Sequence, residues 1–314
     1  MTLGEKEKEK TLENTLKEGG FTVSQKCCSR PSCFDFVARK SPHLIFINVQ
    51  PDTEQVSSTD YLDLNILSTQ VLATSLIISE KSHGTPLEDD TLYSKHNISV
   101  VTQKTFDDMI LHKTYPLIQA GSGGYYVEVD GEAIQGRREE LDLSLSELSE
   151  ITGISQRTLY DYEQGNSKST VSTAYHLIHL LGIPVAKSID VFTKCEEKTK
   201  KPSTVVQPPF TENDLLKKMF QKLSGFNITT IRRAPFDFLV DLQKRIKIIG
   251  GVVNCEEQEL PQRAKEILSV SRVAQACPLL VTEGCNPVNR DILCIPSEKI
   301  SEIKNLEDLI LTFK

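Results

Sequence analysis

Residues 144–165 carry so much helix punctuation that one local arrangement suits them: two short helices joined by a tight turn. Ser144 followed three residues later by Glu147 is a capping box, in which each side chain serves the other residue's backbone amide. Leu145 and Leu148 give this helix its apolar face, and Gly153 can take the left-handed backbone conformation that ends it. Ser155 caps a second helix, Gln156 to Gln164, which Gly165 terminates. Along it Leu159 and Tyr162 recur at helical spacing on one side, leaving Gln156, Arg157, Tyr160 and Asp161 toward solvent. Residues 131–182 as a whole read as a compact helical unit with almost no strand signal.

The segment resembles the phage-repressor, or Xre/Cro-like, helix-turn-helix family. The residues that carry the likeness are Leu145-Ser146-Glu147-Leu148-Ser149, Thr152-Gly153-Ile154-Ser155-Gln156-Arg157-Thr158-Leu159 and Tyr162-Glu163-Gln164-Gly165. The resemblance implies an all-α, lambda-repressor-like DNA-binding domain whose second helix enters the major groove. By position it assigns base contacts to Gln156, Arg157 and Asp161 and phosphate contacts to Ser144 and Lys168. Ser155 and Tyr160 complete the DNA-facing set. An arginine in that row can grip guanine bidentately and so discriminate by about 1–3 kcal/mol. Two residues depart from the pattern. Leu145 stands where phage repressors often carry a backbone-contacting glutamine, and Asp161 would either accept from cytosine or repel phosphate. A helical unit this small can also serve as a dimerisation or partner-docking module, and that alternative stands beside DNA binding.

Charge bears on the choice. The chain has a net charge of −7, and residues 121–191 alone hold 5 basic and 11 acidic side chains. Non-specific affinity for DNA should therefore be low unless other basic residues release counterions from it. The candidates are Lys194 to Lys201 and the group Arg232, Arg233, Lys244, Arg245 and Lys247; the alternative is that they form a solvated face.

A chain of 314 residues is too long for one core, and on either side of the helical segment short β-rich runs alternate with helical patterns. Phe34 to Val37, Leu44 to Val49, Ser75 to Ser79 and Ile98 to Val101 read as strands, with a helix between Tyr61 and Ala73. Gly121-Ser122-Gly123-Gly124 reads as a hinge. The expected division is an α/β domain at 1–120, the helix-turn-helix domain at 121–191, a Lys- and Pro-rich linker at 192–209 and a second α/β domain at 210–314. The two α/β domains match in order: Gly20-Phe21-Thr22-Val23 with Gly225-Phe226-Asn227-Ile228, Phe34-Asp35-Phe36 with Phe236-Asp237-Phe238, and Leu76 to Glu80 with Leu279 to Glu283. Near-constant offsets of 205, 202 and 203 point to duplication; the alternative is two unrelated units of ordinary strand composition.

Asp35 at a strand end, with Asn48-Val49-Gln50 on the next strand, resembles the restriction-endonuclease-like core. In that superfamily a strand Asp and an acid-x-Lys hold magnesium and activate water. Here amides occupy both the acid and the Lys positions, and the second repeat offers Asp237 with Gly250-Gly251-Val252-Val253. The expectation is a degenerate fold with no catalytic residue, no metal and no cofactor; a second reading is that Asp35 and Asp237 merely end strands. Cys27, Cys28 and Cys33 lack a fourth zinc ligand nearer than His43, and His176 with His179 are expected at the surface. There is no phosphate-binding Gly-rich loop and no nucleophile-elbow serine.

Eight scattered Cys, the alternating charges of Glu5 to Lys10 and the lack of a roughly 20-residue apolar run give the expectation of a cytoplasmic protein with reduced thiols and no membrane partner. Nearly end to end, the chain resembles archaeal helix-turn-helix transcriptional regulators in which an α/β domain precedes an Xre-like unit and a third domain follows. The carrying residues are Arg30 to Arg39, Gly123 to Val127, the central unit and Ala234 to Asp237. The resemblance implies a sequence-specific regulator bound to double-stranded DNA, as a homodimer because such units read paired half-sites about 34 Å apart. The rival readings are a DNA-processing nuclease with a diverged site and a protein-interaction scaffold in transcription. No effector ligand is legible.

Overall fold

The computed structural model describes residues 12–192, 217, 227–242, 246–254, 257, 259–283 and 291–302. Residues 225–226 of the first repeat match, the linker residues 193–209, Lys244 and Arg245 lie outside the described residues. Packing divides the chain into two compact units, residues 1–77 with 192–314, and residues 78–191.

The first unit opens with a helix at 12–18 that buries Leu12 and Leu16. Strands β1 (Thr22–Val23), β2 (Phe36–Lys40) and β3 (His43–Val49) then pair antiparallel in sequence order. The run Leu44 to Asn48 in β3 is buried throughout, as suits a strand covered on both faces. Helix α1 (Ser58–Val71) starts from a capping box of Ser57 and Asp60 and buries Tyr61, Leu64, Leu67 and Val71. Strand β4 (Thr74–Ile78) lies beside β3.

In the second unit β5 (Lys81–Ser82) and β6 (Thr85–Pro86) form a small ribbon. Strands β7 (Thr91–Lys95) and β8 (Ile98–Val101) make a hairpin whose tip, His96-Asn97, has φ of 49° and 66°, matching the strand twist. Helix α2 (Gln103–Asp107) leads to β9 (Ile118–Gly121) and β10 (Gly124–Val127). The glycines read as a hinge are the tip of this hairpin: Gly121 pairs with Gly124, and a Cβ at Gly123 would lie 2.7 Å from the Tyr126 hydroxyl. Because β9 runs parallel to β7, strands before residue 121 pack with the hairpin that follows, and the contacts divide at Ile78 instead of at 121. Helices α3 (Gly131–Glu140), α4 (Leu145–Thr152), α5 (Gln156–Glu163) and α6 (Val171–Leu181) complete the unit. A two-residue strand, β11 (Ser169–Thr170), pairs with β10 inside the segment read as purely helical.

The rest of the first unit repeats its beginning. Strands β12 (Asn227–Thr230), β13 (Phe238–Leu242) and β14 (Ile246–Asn254) are antiparallel in sequence order, helix α7 (Leu260–Ala274) follows, and β15 (Cys277–Glu283) lies parallel to β14 with β16 (Leu293–Pro296) beyond it. The succession strand, strand, strand, helix, strand is that of β1 to β4. Equivalent hydrogen bonds mark equivalent places. The Asp35 amide donates to Ile47 O and its carboxylate accepts from Val49 N (both 2.7 Å), while the Asp237 amide donates to Gly250 O (2.8 Å) and its carboxylate accepts from Val252 N (2.7 Å). The duplication expected from the offsets is therefore present in the fold.

The repeats face each other through reciprocal contacts. Asp63 on α1 accepts from the backbone amides of Arg232 (3.0 Å) and Arg233 (2.8 Å), and Glu266 on α7, 203 residues later, accepts from those of Cys28 (3.1 Å) and Ser29 (3.0 Å). Phe34 and Phe236 meet between them with ring centroids 6.2 Å apart. Each repeat's helix thus grips the other's loop with a carboxylate, the isologous pattern of a two-fold dimer realised within one chain.

Candidate nucleic-acid interface

The reading helix is positioned from behind. Leu148 of α4, Leu159 and Tyr162 of α5, Leu177 and Leu181 of α6 and Ile134 of α3 are buried in one core. The expected punctuation is all present: the Ser144 and Glu147 box caps α4, Gly153 closes it at φ 69°, and the Ser155 side chain accepts from Thr158 N to open α5. Asp130 caps α3. A Cβ on the next residue, Gly131, would sit 2.3 Å from the Glu163 carbonyl oxygen, so α3 begins against the end of α5 at a distance that only glycine allows.

Behind α5 lies an ion pair that sequence reasoning missed. Arg138 donates from Nε (2.7 Å) and Nη2 (3.1 Å) to the two oxygens of Glu163 and from Nη1 to Leu143 O (2.9 Å). The side chains are 13% and 4% exposed, so the pair is largely desolvated and geometrically bidentate. Hydrogen bonding to Glu163 pushes the guanidinium pKa up. A signal existed, because Glu163 falls at i+4 from Leu159 on the apolar stripe, where a charge requires a partner.

The seven candidate DNA-facing residues differ in how free they are. Ser155, Gln156, Arg157 and Tyr160 are exposed and Asp161 is half-buried. The Gln156 amide donates to the Ser146 hydroxyl at 3.1 Å. Ser144 gives both its hydroxyl (2.7 Å) and its amide (2.8 Å) to Glu147, whose pKa these bonds lower. The box is complete above the ordinary carboxylate range and is lost as pH falls through the lowered value. A phosphate reaching Ser144 would compete with that carboxylate. Lys168 is bound to Glu128 (3.0 Å) and to Gln119. Among the described residues of 131–187, Arg137, Arg138, Lys168 and Lys187 each have a carboxylate within 4.0 Å, and Arg157 has none.

The nuclease-like positions have different occupants. Asp35 has Lys26 Nζ at 3.9 Å. Asn48 is buried, donates to Cys33 O at 2.8 Å and leaves its Oδ1 unbonded. Asp237 binds Arg30 (2.7 Å) and Arg263 (2.5 Å). Among the described residues no three His, Cys, Asp or Glu side chains are grouped to hold a metal. Burial pushes the Cys27 and Cys33 thiols up, His43 lies against Phe192, and His179 packs edge-on against Tyr175 at 4.6 Å.

Two short capped helices about a left-handed glycine define a helix-turn-helix protein. The family model described as a helix-turn-helix matches residues 134–187, and one described as a PD-(D/E)XK superfamily domain matches residues 6–116. The chain is 30% identical to the "Putative HTH-type transcriptional regulatory protein" of Methanocella arvoryzae, over 94% of this chain and 91% of that protein. It is 29% identical to the protein of that name from Methanothermobacter thermautotrophicus (94% and 91%) and 26% identical to one from Pyrococcus furiosus (96% and 95%). The chain belongs to the family that these archaeal proteins form. No solved structure matches it. No helix among the described residues is long and apolar enough to cross a membrane.

Proposed function

We propose that the chain is a sequence-specific transcriptional regulator that reads the major groove of double-stranded DNA with α5, as a cytoplasmic homodimer. The observation that carries this reading is Arg157: exposed, without an acidic partner among the described residues, and placed at the start of a helix whose other face is core. The names of the relatives support the same class of activity. We further propose that Ser144, Ser155, Gln156, Tyr160, Asp161 and Lys168 accompany Arg157 at the DNA. The proposed division of the sequence, 1–120, 121–191, 192–209 and 210–314, follows the matched family models at 6–116 and 134–187 and is distinct from the packing units, which divide at Ile78; the flanking α/β domains are proposed to be non-catalytic.

Arg157→Ala is expected to leave the thermal midpoint nearly unchanged, since exposed substitutions usually stay within about 0.5 kcal/mol. On a selected operator it should cost about 1–3 kcal/mol of affinity with relaxed preference at one guanine, while Lys168→Ala weakens all sequences alike and flattens the salt dependence. Binding to operator and scrambled DNA at two salt concentrations measures both. Equal losses on both DNAs would reduce Arg157 to a backbone contact. No loss on either would favour the scaffold reading, for which the acidic partners of Ser144 and Lys168 speak.

The chain is expected not to cleave DNA, because amides stand at the acid and Lys positions of the first repeat. Incubation of plasmid with magnesium or manganese tests this; metal-dependent nicking that disappears in Asp35→Ala would restore the nuclease reading.

A further inference from the structure

We infer that residues 127–130, the segment leading from β10 into α3, are a built-in stand-in for the DNA backbone: two of its carboxylates mask the two lysines of the reading domain and hold down its affinity for DNA of every sequence. The segment alternates. Val127 and Val129 are buried in the core behind α5, so Glu128 and Asp130 turn to the other side. Backbone bonds fix it along both edges. On one, Val127 pairs with Ser169 of β11. On the other, Val129 bridges to Ala186, the Asp130 amide donates to Val185 O (2.7 Å) and the Lys187 amide donates to Glu128 O (2.8 Å). Lys168 and Lys187 thus flank the segment, and each brings its ammonium to it: Lys168 to Glu128 at 3.0 Å, Lys187 to Asp130 at 3.7 Å. Residues 131–187 contain no other lysine. Gln119 of β9 accepts a further bond from Lys168.

Both pairs are open to a competitor. The two carboxylates are each 34% exposed and the lysines 42% and 55%, and ion pairs so exposed are weak enough to exchange partners. A phosphate approaching Lys168 must displace Glu128 or meet its repulsion well inside the Debye length of about 10 Å. Ser144 is covered in the same way, since Glu147 takes its hydroxyl and its amide. Arg157, placed to read a base, has no carboxylate beside it among the described residues. The contacts that are indifferent to sequence are therefore masked, and the one that discriminates is open. The role of Lys168 is that of the major-groove reading proposed above, on which this inference rests. Its addition is a brake on affinity that leaves discrimination alone, and a use for part of the acidic excess of residues 121–191.

The test uses the full-length chain with Glu128→Gln, and with Glu128→Gln and Asp130→Asn together. Asp130 accepts from Ala133 N (3.2 Å) at the start of α3, and asparagine caps a helix about as well as aspartate, so both variants should keep thermal midpoints near that of the wild type. Binding is measured on a selected operator and on scrambled DNA at about 0.1 M salt. Glu128→Gln should tighten both complexes roughly fivefold, the size of an exposed ion pair, and the double variant should tighten them further, with the ratio of operator to scrambled affinity unchanged. In a Lys168→Ala background the gain from Glu128→Gln should shrink below about twofold. DNA binding detected only in the double variant supports the masking equally. A gain of the same size with and without Lys168 overturns the inference, because net charge alone is then at work. Unchanged or weakened binding in Glu128→Gln also overturns it, while a wild-type preference for operator over scrambled DNA keeps the major-groove reading. Absence of DNA binding from wild type and variants alike overturns both.

Discussion

Glu163→Ala should lower the unfolding free energy by about 3 kcal/mol, because it leaves the largely buried Arg138 guanidinium with only the exposed Glu139, 3.8 Å away, as counter-charge. The effect should exceed that of any exposed substitution on α5, whose solvent-facing residues have no packing duty. It should also reach the DNA-facing row indirectly, since Glu163 is the last residue of α5 and ties that helix to α3. Replacing both partners by apolar residues of similar volume, Arg138→Met with Glu163→Leu, should recover much of the loss, as buried ion pairs commonly tolerate joint replacement better than the removal of one partner. Urea unfolding of the single and double variants, followed by far-ultraviolet circular dichroism, supplies the comparison. A loss below about 1 kcal/mol for Glu163→Ala would put the pair among the weak ion pairs of protein surfaces.

Glu266→Ala is expected to be similarly costly for another reason. Its carboxylate is fully buried and receives the Cys28 amide, the Ser29 amide and the Ser29 hydroxyl (2.5 Å). Removing it strands the amide and hydroxyl of buried Ser29 at roughly 1–3 kcal/mol each, for a total of about 2–4 kcal/mol once some relaxation is allowed. The reciprocal arrangement makes a sharper expectation possible. Amide hydrogen exchange should accelerate at Cys28 and Ser29 while Arg232 and Arg233, held by Asp63, keep their protection. Asp63→Ala should show the converse. Uniform acceleration at all four amides in either variant would mean that the two grips are one cooperative unit.

What could be read before the structure was the local grammar. The caps at Ser144 and Ser155, the stop at Gly153 and the inward faces of Leu159 and Tyr162 all follow from short-range chemistry, and each has its counterpart in the fold. The duplication was legible too, because Phe-Asp-Phe recurs where a strand begins and its aspartate takes up a cross-strand amide. The rest was decided by distant residues. Arg138 and Glu163 are 25 positions apart, and Arg30 and Asp237 are 207 apart. No spacing rule relates such pairs. The glycines at 121–124 misled for the opposite reason: a flexible hinge and a hairpin tip demand the same residues, and only the pairing of β9 with β10 distinguishes them. Gly251 likewise gave no hint of Arg263, whose Nη2 lies 3.2 Å from where a Cβ would stand.

The reciprocal grip of Asp63 and Glu266 also bears on how this protein could change over evolutionary time. In an ordinary homodimer every substitution at the interface appears twice, once on each side of the axis, so a lone new charge meets its own image. Fusion of the two copies removes that restriction. Arg263 could arise beside Asp237 without an arginine arising beside Asp35, and Arg30 could reach Asp237 without a mirrored partner having to fit. A joined pair can thus specialise one half while the other drifts, and its stoichiometry becomes lopsided: two α/β folds for a single reading helix. A palindromic target would then be matched only by bringing a second whole chain, and with it four α/β folds, to the DNA.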